Sequence, residues 1–252
     1  MRLLVLNANT SEFVTRRVAD AVRAMASPGT EVVEATGGFG GRVIGTWTEM
    51  AIGEHAAVEL MARHAPGCDA VLVAVSWDTG LRAGRELLPI PVVAMTEAAL
   101  LTARQLGGRF GFVTFDARSL ALYRTLIEGY GFGARLAAWR VVDSRAVYTP
   151  EGALAVDAQV ADAINDMAAR DGIEVAVISG AVMAGAGPRL QPGCVVPVVE
   201  GVAAAFRQAE ALVRLGAAKA RTGAFAAPAG RESTGIGDAL AAALRGQSGG
   251  TG

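Results

Sequence analysis

The chain has 252 residues, 52% of them hydrophobic and 19% charged, and its 23 Lys+Arg against 24 Asp+Glu leave a formal net charge of -1. That balance excludes a strongly basic nucleic-acid binder and an acidic disordered tail, and two cysteines, Cys68 and Cys194, exclude a disulfide framework and a zinc site built on four thiolates. The apolar run from Met1 to Asn7 lacks a basic leader and a cleavage pattern, and no uncharged run reaches the ~18 residues that would span a bilayer, so a cytoplasmic protein with neither membrane nor nucleic-acid partners is expected.

In chain order, Leu3 to Leu6 reads as a buried strand that breaks at Asn7-Ala8-Asn9-Thr10-Ser11, where Asn, Thr and Ser suit a helix start. Val14, Val18, Val22 and Met25 then recur at helical spacing. Further strands are read at Ala70 to Val75, Val92 to Met95, Phe110 to Phe115, Val175 to Ile178 and Val195 to Val199. Helices are read near 49 to 64, 96 to 106, 117 to 129, 152 to 170 and 201 to 215. Strands alternating with longer helical patterns predict an α/β fold with parallel sheets. Arg221 to Thr234 reads as linker, and Asp238 to Leu244 as a short helix able to dock on a neighbouring subunit, within a flexible tail over 221–252.

The two halves of the chain repeat one another. Leu3 to Ser11 matches Phe110 to Ser119 at an offset of about 107, Asp69 to Ser76 matches Ile173 to Gly180 at 104, and Ile90-Pro91-Val92-Val93 matches Val196-Pro197-Val198-Val199 at 106. The repeat predicts two pseudo-symmetric Rossmann-like lobes, 1–107 and 108–204, with the helix at about 205–220 returning to the first lobe. Ligands of parallel α/β sheets bind beyond the carboxyl ends of the strands. The site is therefore expected in the interlobe cleft, among turns rich in hydroxyls, glycines and helix-start N–H groups that suit a carboxylate or a developing enolate.

Those turns supply the candidates. Ser76, Asp78, Ser179 and Gly180 form the candidate catalytic set; Asn9, Thr10, Ser11, Trp77, Thr79, Thr114, Asp116 and Ala181 form the candidate substrate-binding set. Each has a structural alternative. Asn9, Thr10 and Ser11 suit helix capping, Asp78 suits either acid–base work or a cap, Thr114 and Asp116 begin a helix, and Ser76 is also simply small. Gly37 to Gly41 lacks the Lys-Ser/Thr of a phosphate loop and reads as a flexible lid or a substrate loop, with Trp47 as an apolar wall after it. His55 and His64, nine residues apart, do not have metal-ligand spacing, and no metal is expected.

Asn7-x-Asn9-Thr10-Ser11, Asp69 to Ala74, Trp77-Asp78-Thr79-Gly80-Leu81, Arg85-Glu86, Pro91-Val92-Val93 and Glu97-Ala98-Ala99, with Tyr130-Gly131, Met183-Ala184 and Pro197 to Ala204, resemble the aspartate/glutamate/hydantoin racemase superfamily over roughly residues 2–225. The hydantoin and allantoin racemases are the nearest branch. The resemblance implies two α/β lobes, an interlobe site, no cofactor, a small-molecule substrate, a homo-oligomer, and proton transfer beside a carbonyl by two opposed cysteines. At the positions where it implies those cysteines this sequence carries Ser76 and Gly180. A thiol is poised near a pKa of ~8.5 and a hydroxyl is far less acidic. The expectation is therefore a thiol-free isomerase or epimerase working through an enolate-like intermediate, with a lyase such as a decarboxylase, or a ligand-binding protein, as alternatives. Cys68 and Cys194 each precede a strand and are expected at the amino end of the sheets, away from the cleft.

Overall fold

The computed structural model describes residues 1–142, 147, 149, 152–228, 230 and 232–245. The first half runs β1 (Arg2–Asn7), α1 (Glu12–Met25), β2 (Glu31–Thr36), α2 (Trp47–His64), β3 (Ala70–Val73), α3 (Leu81–Leu87), β4 (Val92–Ala94) and α4 (Met95–Leu106). The second runs β5 (Phe110–Thr114), α5 (Ser119–Gly129), β6 (Leu136–Val141), α6 (Gly152–Ala155), α7 (Asp157–Asp171), β7 (Val175–Ile178), α8 (Gly187–Leu190), β8 (Val198–Glu200) and α9 (Gly201–Arg214). A last helix, α10 (Asp238–Leu244), follows a coil segment.

All the strands pair in parallel, in two four-stranded sheets of order β2-β1-β3-β4 and β6-β5-β7-β8. The two orders are the same topology, as the internal repeat predicts. The central strands are buried on both faces, which is why they read as unbroken apolar runs. Leu3 to Leu6, Phe110 and Phe112 have no exposed surface, and each such side chain contributes about 2–3 kcal/mol of burial.

Besides the four-residue α8, two edge strands and one helix fall outside the sequence reading. β2 carries Glu31 and Glu34 on a partly exposed edge, β6 is the alanine-containing edge of the other sheet, and α3 has only seven residues. An edge strand with a wet face does not show the continuous apolar run of a central one. Within the tail, α10 packs on α2 of its own chain: Leu240 is buried, and the Gly237 N–H donates to Glu59 Oε1 at 2.7 Å. That contact is intramolecular and holds the helix on its own chain. Residues 229, 231 and 246–252 lie outside the described residues.

The halves exchange helices. α4 leaves β4 and packs on β7 and β8, whereas α9 leaves β8 and packs on β3, β4 and α1. The two helices cross where they start. A Cβ on Gly201 would stand 2.8 Å from the Met95 carbonyl oxygen, so the crossing requires a residue without one. Gln208 Nε2 donates from α9 to the Ala98 carbonyl (2.8 Å) and to Thr102 Oγ1 (3.1 Å) on α4.

Candidate functional site

The turn after β1 is organised by two asparagines. Asn7 is buried, and its Nδ2 donates to Asn9 Oδ1 (2.8 Å), the Ser11 carbonyl (3.2 Å) and Thr15 Oγ1 (3.1 Å). Asn9 Oδ1 in turn accepts the Ser11 N–H at 2.9 Å, an Asx turn that opens α1. Ser11 is the N-cap residue, but its hydroxyl makes no capping bond. Thr10 donates its N–H to the Gly41 carbonyl at 3.0 Å and so ties this turn to the glycine-rich segment.

That segment lies over the carboxyl ends of β1 and β3 as a lid. Gly37 is pressed so close to the Ala8 carbonyl that a Cβ would meet it at 2.5 Å. Ile44 is buried, and the Trp77 Nε1–H donates to its carbonyl at 2.5 Å. Thr46 then caps α2 by accepting the Glu49 N–H (3.2 Å), and the Glu49 carboxylate accepts the Gly45 N–H (2.8 Å), which lowers its pKa. Phe39 of the lid meets the His55 ring edge-on at 5.2 Å, and His55 faces Glu59 at 3.4 Å.

Beneath the lid is a cavity of about 70 Å³. Asn9 and Val14 wall it near β1, Arg42, Val43 and Ile44 from the lid, Ala74 to Trp77 after β3, and Ala181 and Val182 after β7. The Ser76 hydroxyl makes no hydrogen bond among the described residues, and neither do the backbone N–H groups of Ser76, Trp77, Ala181 and Val182. Arg42 makes no ion pair there. Residues that carry a cation, a hydroxyl and four amide N–H groups without a partner among the described residues thus wall one small space, a donor set that suits an anion.

Asp78, two residues further on, meets different surroundings. It is the one non-glycine among the described residues with positive φ (52°), and it is buried. Its Oδ1 accepts the Thr96 N–H (2.8 Å), and its Oδ2 accepts the Glu97 N–H (2.7 Å) and the Tyr130 hydroxyl (2.8 Å). The carboxyl therefore fastens the first turn of α4 and does not wall the cavity. Burial pushes its pKa up to about 7 against the pull of those three donors, and raises that of Tyr130 as well. Arg85 closes a two-point ion pair on Glu97 beside it. Thr96 completes the link, donating its hydroxyl to the Ser76 carbonyl at 2.6 Å.

Glu200 does for α9 what Asp78 does for α4. Buried, it accepts the N–H groups of Val202 (2.6 Å), Ala203 (3.2 Å) and Gly185 (3.3 Å), and burial raises its pKa to about 6. Thr79 is buried with its hydroxyl unpartnered. Thr114 is buried with Oγ1 3.1 Å from Ser119 Oγ, and the exposed Asp116 accepts the Arg118 N–H (3.1 Å), so both serve the start of α5. Of the candidate residues, Asn9, Ser76, Trp77 and Ala181 wall the cavity. Ser179 and Gly180 (φ 93°) shape the turn that precedes Ala181.

The strand ladders correct the pairing of the two halves after β3 and β7. Leu3 pairs with Ala70 and Phe110 with Val175, an offset of 105 for the second strand of each pair. Ala74 and Ser179 donate to the equivalent carbonyls of Leu6 and Val113. Gly180 is thus matched by Val75, and Ser76 by Ala181. Pairing Ser76 with Gly180, as the sequence alignment of the halves does, gives 104; the hydrogen-bond register counts one more. Cys68 and Cys194 lie before β3 and β8, at the opposite ends of the strands from the cavity, with pKa values raised by burial.

Arg42, Val43 and Ile44 were not among the candidates. Their signal was the glycine run before them, which pointed to a lid but not to which residues would reach under it. Among the described residues no three His, Cys, Asp or Glu side chains gather as metal ligands, and no helix is long and apolar enough to cross a membrane.

Known proteins are similar to this chain in sequence and in fold. A hydantoin racemase of Paenarthrobacter aurescens is 31% identical over 231 residues, 90% of this chain and 98% of that one. The structure superposes on allantoin racemases from Klebsiella pneumoniae (TM-score 0.89, 32% identity, 95% of this chain and 98% of that one) and Pseudomonas fluorescens (0.87, 32%, 93% and 100%). The family model of Asp/Glu/hydantoin racemases matches residues 3–209, a span that takes in both sheets, the lid and both exchanged helices. With paired lobes, an interlobe cavity and sequence agreement throughout, this chain belongs to the Asp/Glu/hydantoin racemase family.

Proposed function

We propose that the protein is a cofactor-independent isomerase that inverts a carbon acid next to the carbonyl of a small carbonyl or carboxylate compound. The observation that carries this reading is the set of unused donors on residues that wall the cavity: the Ser76 hydroxyl and the amides of Ser76, Trp77, Ala181 and Val182, with Arg42 also in the wall. When the C–H bond beside the carbonyl breaks, the electron pair moves onto the carbonyl oxygen. Fixed donors aimed at that oxygen stabilise it without reorganising. The proton passes to solvent through water held at Ser76, and its return to the opposite face of the planar intermediate inverts the centre. Asp78 positions α4 and leaves the proton transfer to Ser76 and water.

The similarity to hydantoin and allantoin racemases makes cyclic ureides the first probes. Incubation in D₂O is expected to place deuterium on the stereogenic carbon while optical rotation decays. A second reading, a lyase, is favoured by one feature: Val75 and Gly180, at matched strand exits, carry no acid or base. Decarboxylation leaves its electron pair as the same enolate and needs only a final proton. Carbon dioxide release from malonate-type acids without prior exchange would select the lyase, and tight binding with neither reaction would select a binding protein.

A further inference from the structure

The cavity under the lid is too small for a substituted ring. Its 70 Å³ compares with the ~150 Å³ that admits a benzene molecule. Lifting Ile44 with the lid enlarges it upward, but its side wall is Trp77. Across that indole lies a second, open cavity of about 460 Å³, within the range of ~300–1,000 Å³ of small-ligand pockets. Asp78 and Tyr130 line it, with Met50 and Leu81 from one half of the chain and Leu122 and Leu126 of α5 from the other. Trp77 walls both spaces. Its ring packs at a tilt on Tyr123 of α5 with centroids 4.1 Å apart, and with the lid closed its Nε1 also donates to the Ile44 carbonyl.

We propose that Trp77 is the specificity-determining partition of the site: the indole restricts the substrate to a small substituent, and the larger cavity behind it, walled by Leu81, Leu122 and Leu126 as well as by the ionisable Glu54, Asp78 and Arg82, is a substituent pocket that the indole closes off. The proposal rests on the carbon-acid reading for the identity of the reacting ring. Its own content is the direction and depth of the pocket. An apolar pocket discriminates by roughly tenfold or more when a whole ring gains or loses its space.

The test measures binding of 5-methylhydantoin and 5-benzylhydantoin by calorimetry, with deuterium exchange at C5 followed separately. The wild-type protein is expected to favour the methyl compound by about tenfold, and Trp77→Ala to favour the benzyl compound by about tenfold. Trp77→Phe keeps a ring in the wall and is expected to keep the wild-type preference. Adding Leu126→Trp to Trp77→Ala refills the outer cavity and should restore it. If Trp77→Ala does not fold, Trp77→Leu is read instead, with a shift of at least about threefold toward the benzyl compound. An unchanged ratio in the alanine or leucine variant, a wild-type preference for the benzyl compound, or no binding of either compound by the wild type would overturn the proposal. Binding in the expected ratios without exchange at C5 would leave the partition standing and remove the isomerase reading.

Discussion

Ser76 and Asp78 stand two positions apart and meet opposite surroundings. The Ser76 hydroxyl is unengaged at the cavity wall, whereas both carboxyl oxygens of Asp78 are taken up by donors. Ser76→Ala is therefore expected to lower kcat by about 10²-fold, the usual scale for one lost donor to a developing anion, with no change in melting temperature. Asp78 governs stability, with a definite sign in pH. Its folded pKa of about 7 lies above the ~3.9 of an unfolded chain, so the folded state holds the proton more tightly. Stability is then full below pH ~4, falls as the pH rises toward 7 and levels off above it. Glu200, at about 6, adds a slope of the same sign over a narrower window. Urea midpoints at pH 5 and pH 8 should differ in that direction, and Asp78→Asn should flatten the difference.

At the scale of elements, the critical contact is the crossing of α4 and α9. Each helix carries a buried carboxyl on its first turn and covers the sheet of the other half. The Cβ of Gly201→Ala would face a backbone carbonyl at 2.8 Å, which cannot swing away as a side chain would. Overpacking of this kind costs roughly 1–3 kcal/mol, so the variant should melt several degrees lower in a thermal scan. The lid belongs to the same scale. Its seat is made by Gly37 against Ala8, Thr10 against Gly41 and Ile44 against Trp77, of which the last is a contact with a wall of the cavity it closes.

For the whole molecule, the helix exchange means that neither sheet is covered by its own half alone. Folding is accordingly expected to be a single cooperative event: tryptophan fluorescence, with Trp77 in the first half and Trp139 in the second, should lose signal in the same denaturant interval as far-ultraviolet circular dichroism. Two separated transitions would show that the halves fold independently. The sequence by itself determined the central strands, the long helices and the doubling of the fold. Buried parallel strands must be continuous apolar runs, and a repeated topology leaves repeated runs. It also marked Asn9, Ser76, Trp77 and Ala181, because turns beyond strand ends are where such folds meet ligands. Tertiary structure alone decided the rest. Edge strands β2 and β6 exist because a neighbouring strand supplies their hydrogen bonds, and the match of Val75 with Gly180 follows from a ladder that residue types do not encode. That the Asp78 carboxyl fastens the start of α4 follows from the N–H groups that arrive beside it from Thr96 and Glu97, 18 and 19 positions along the chain.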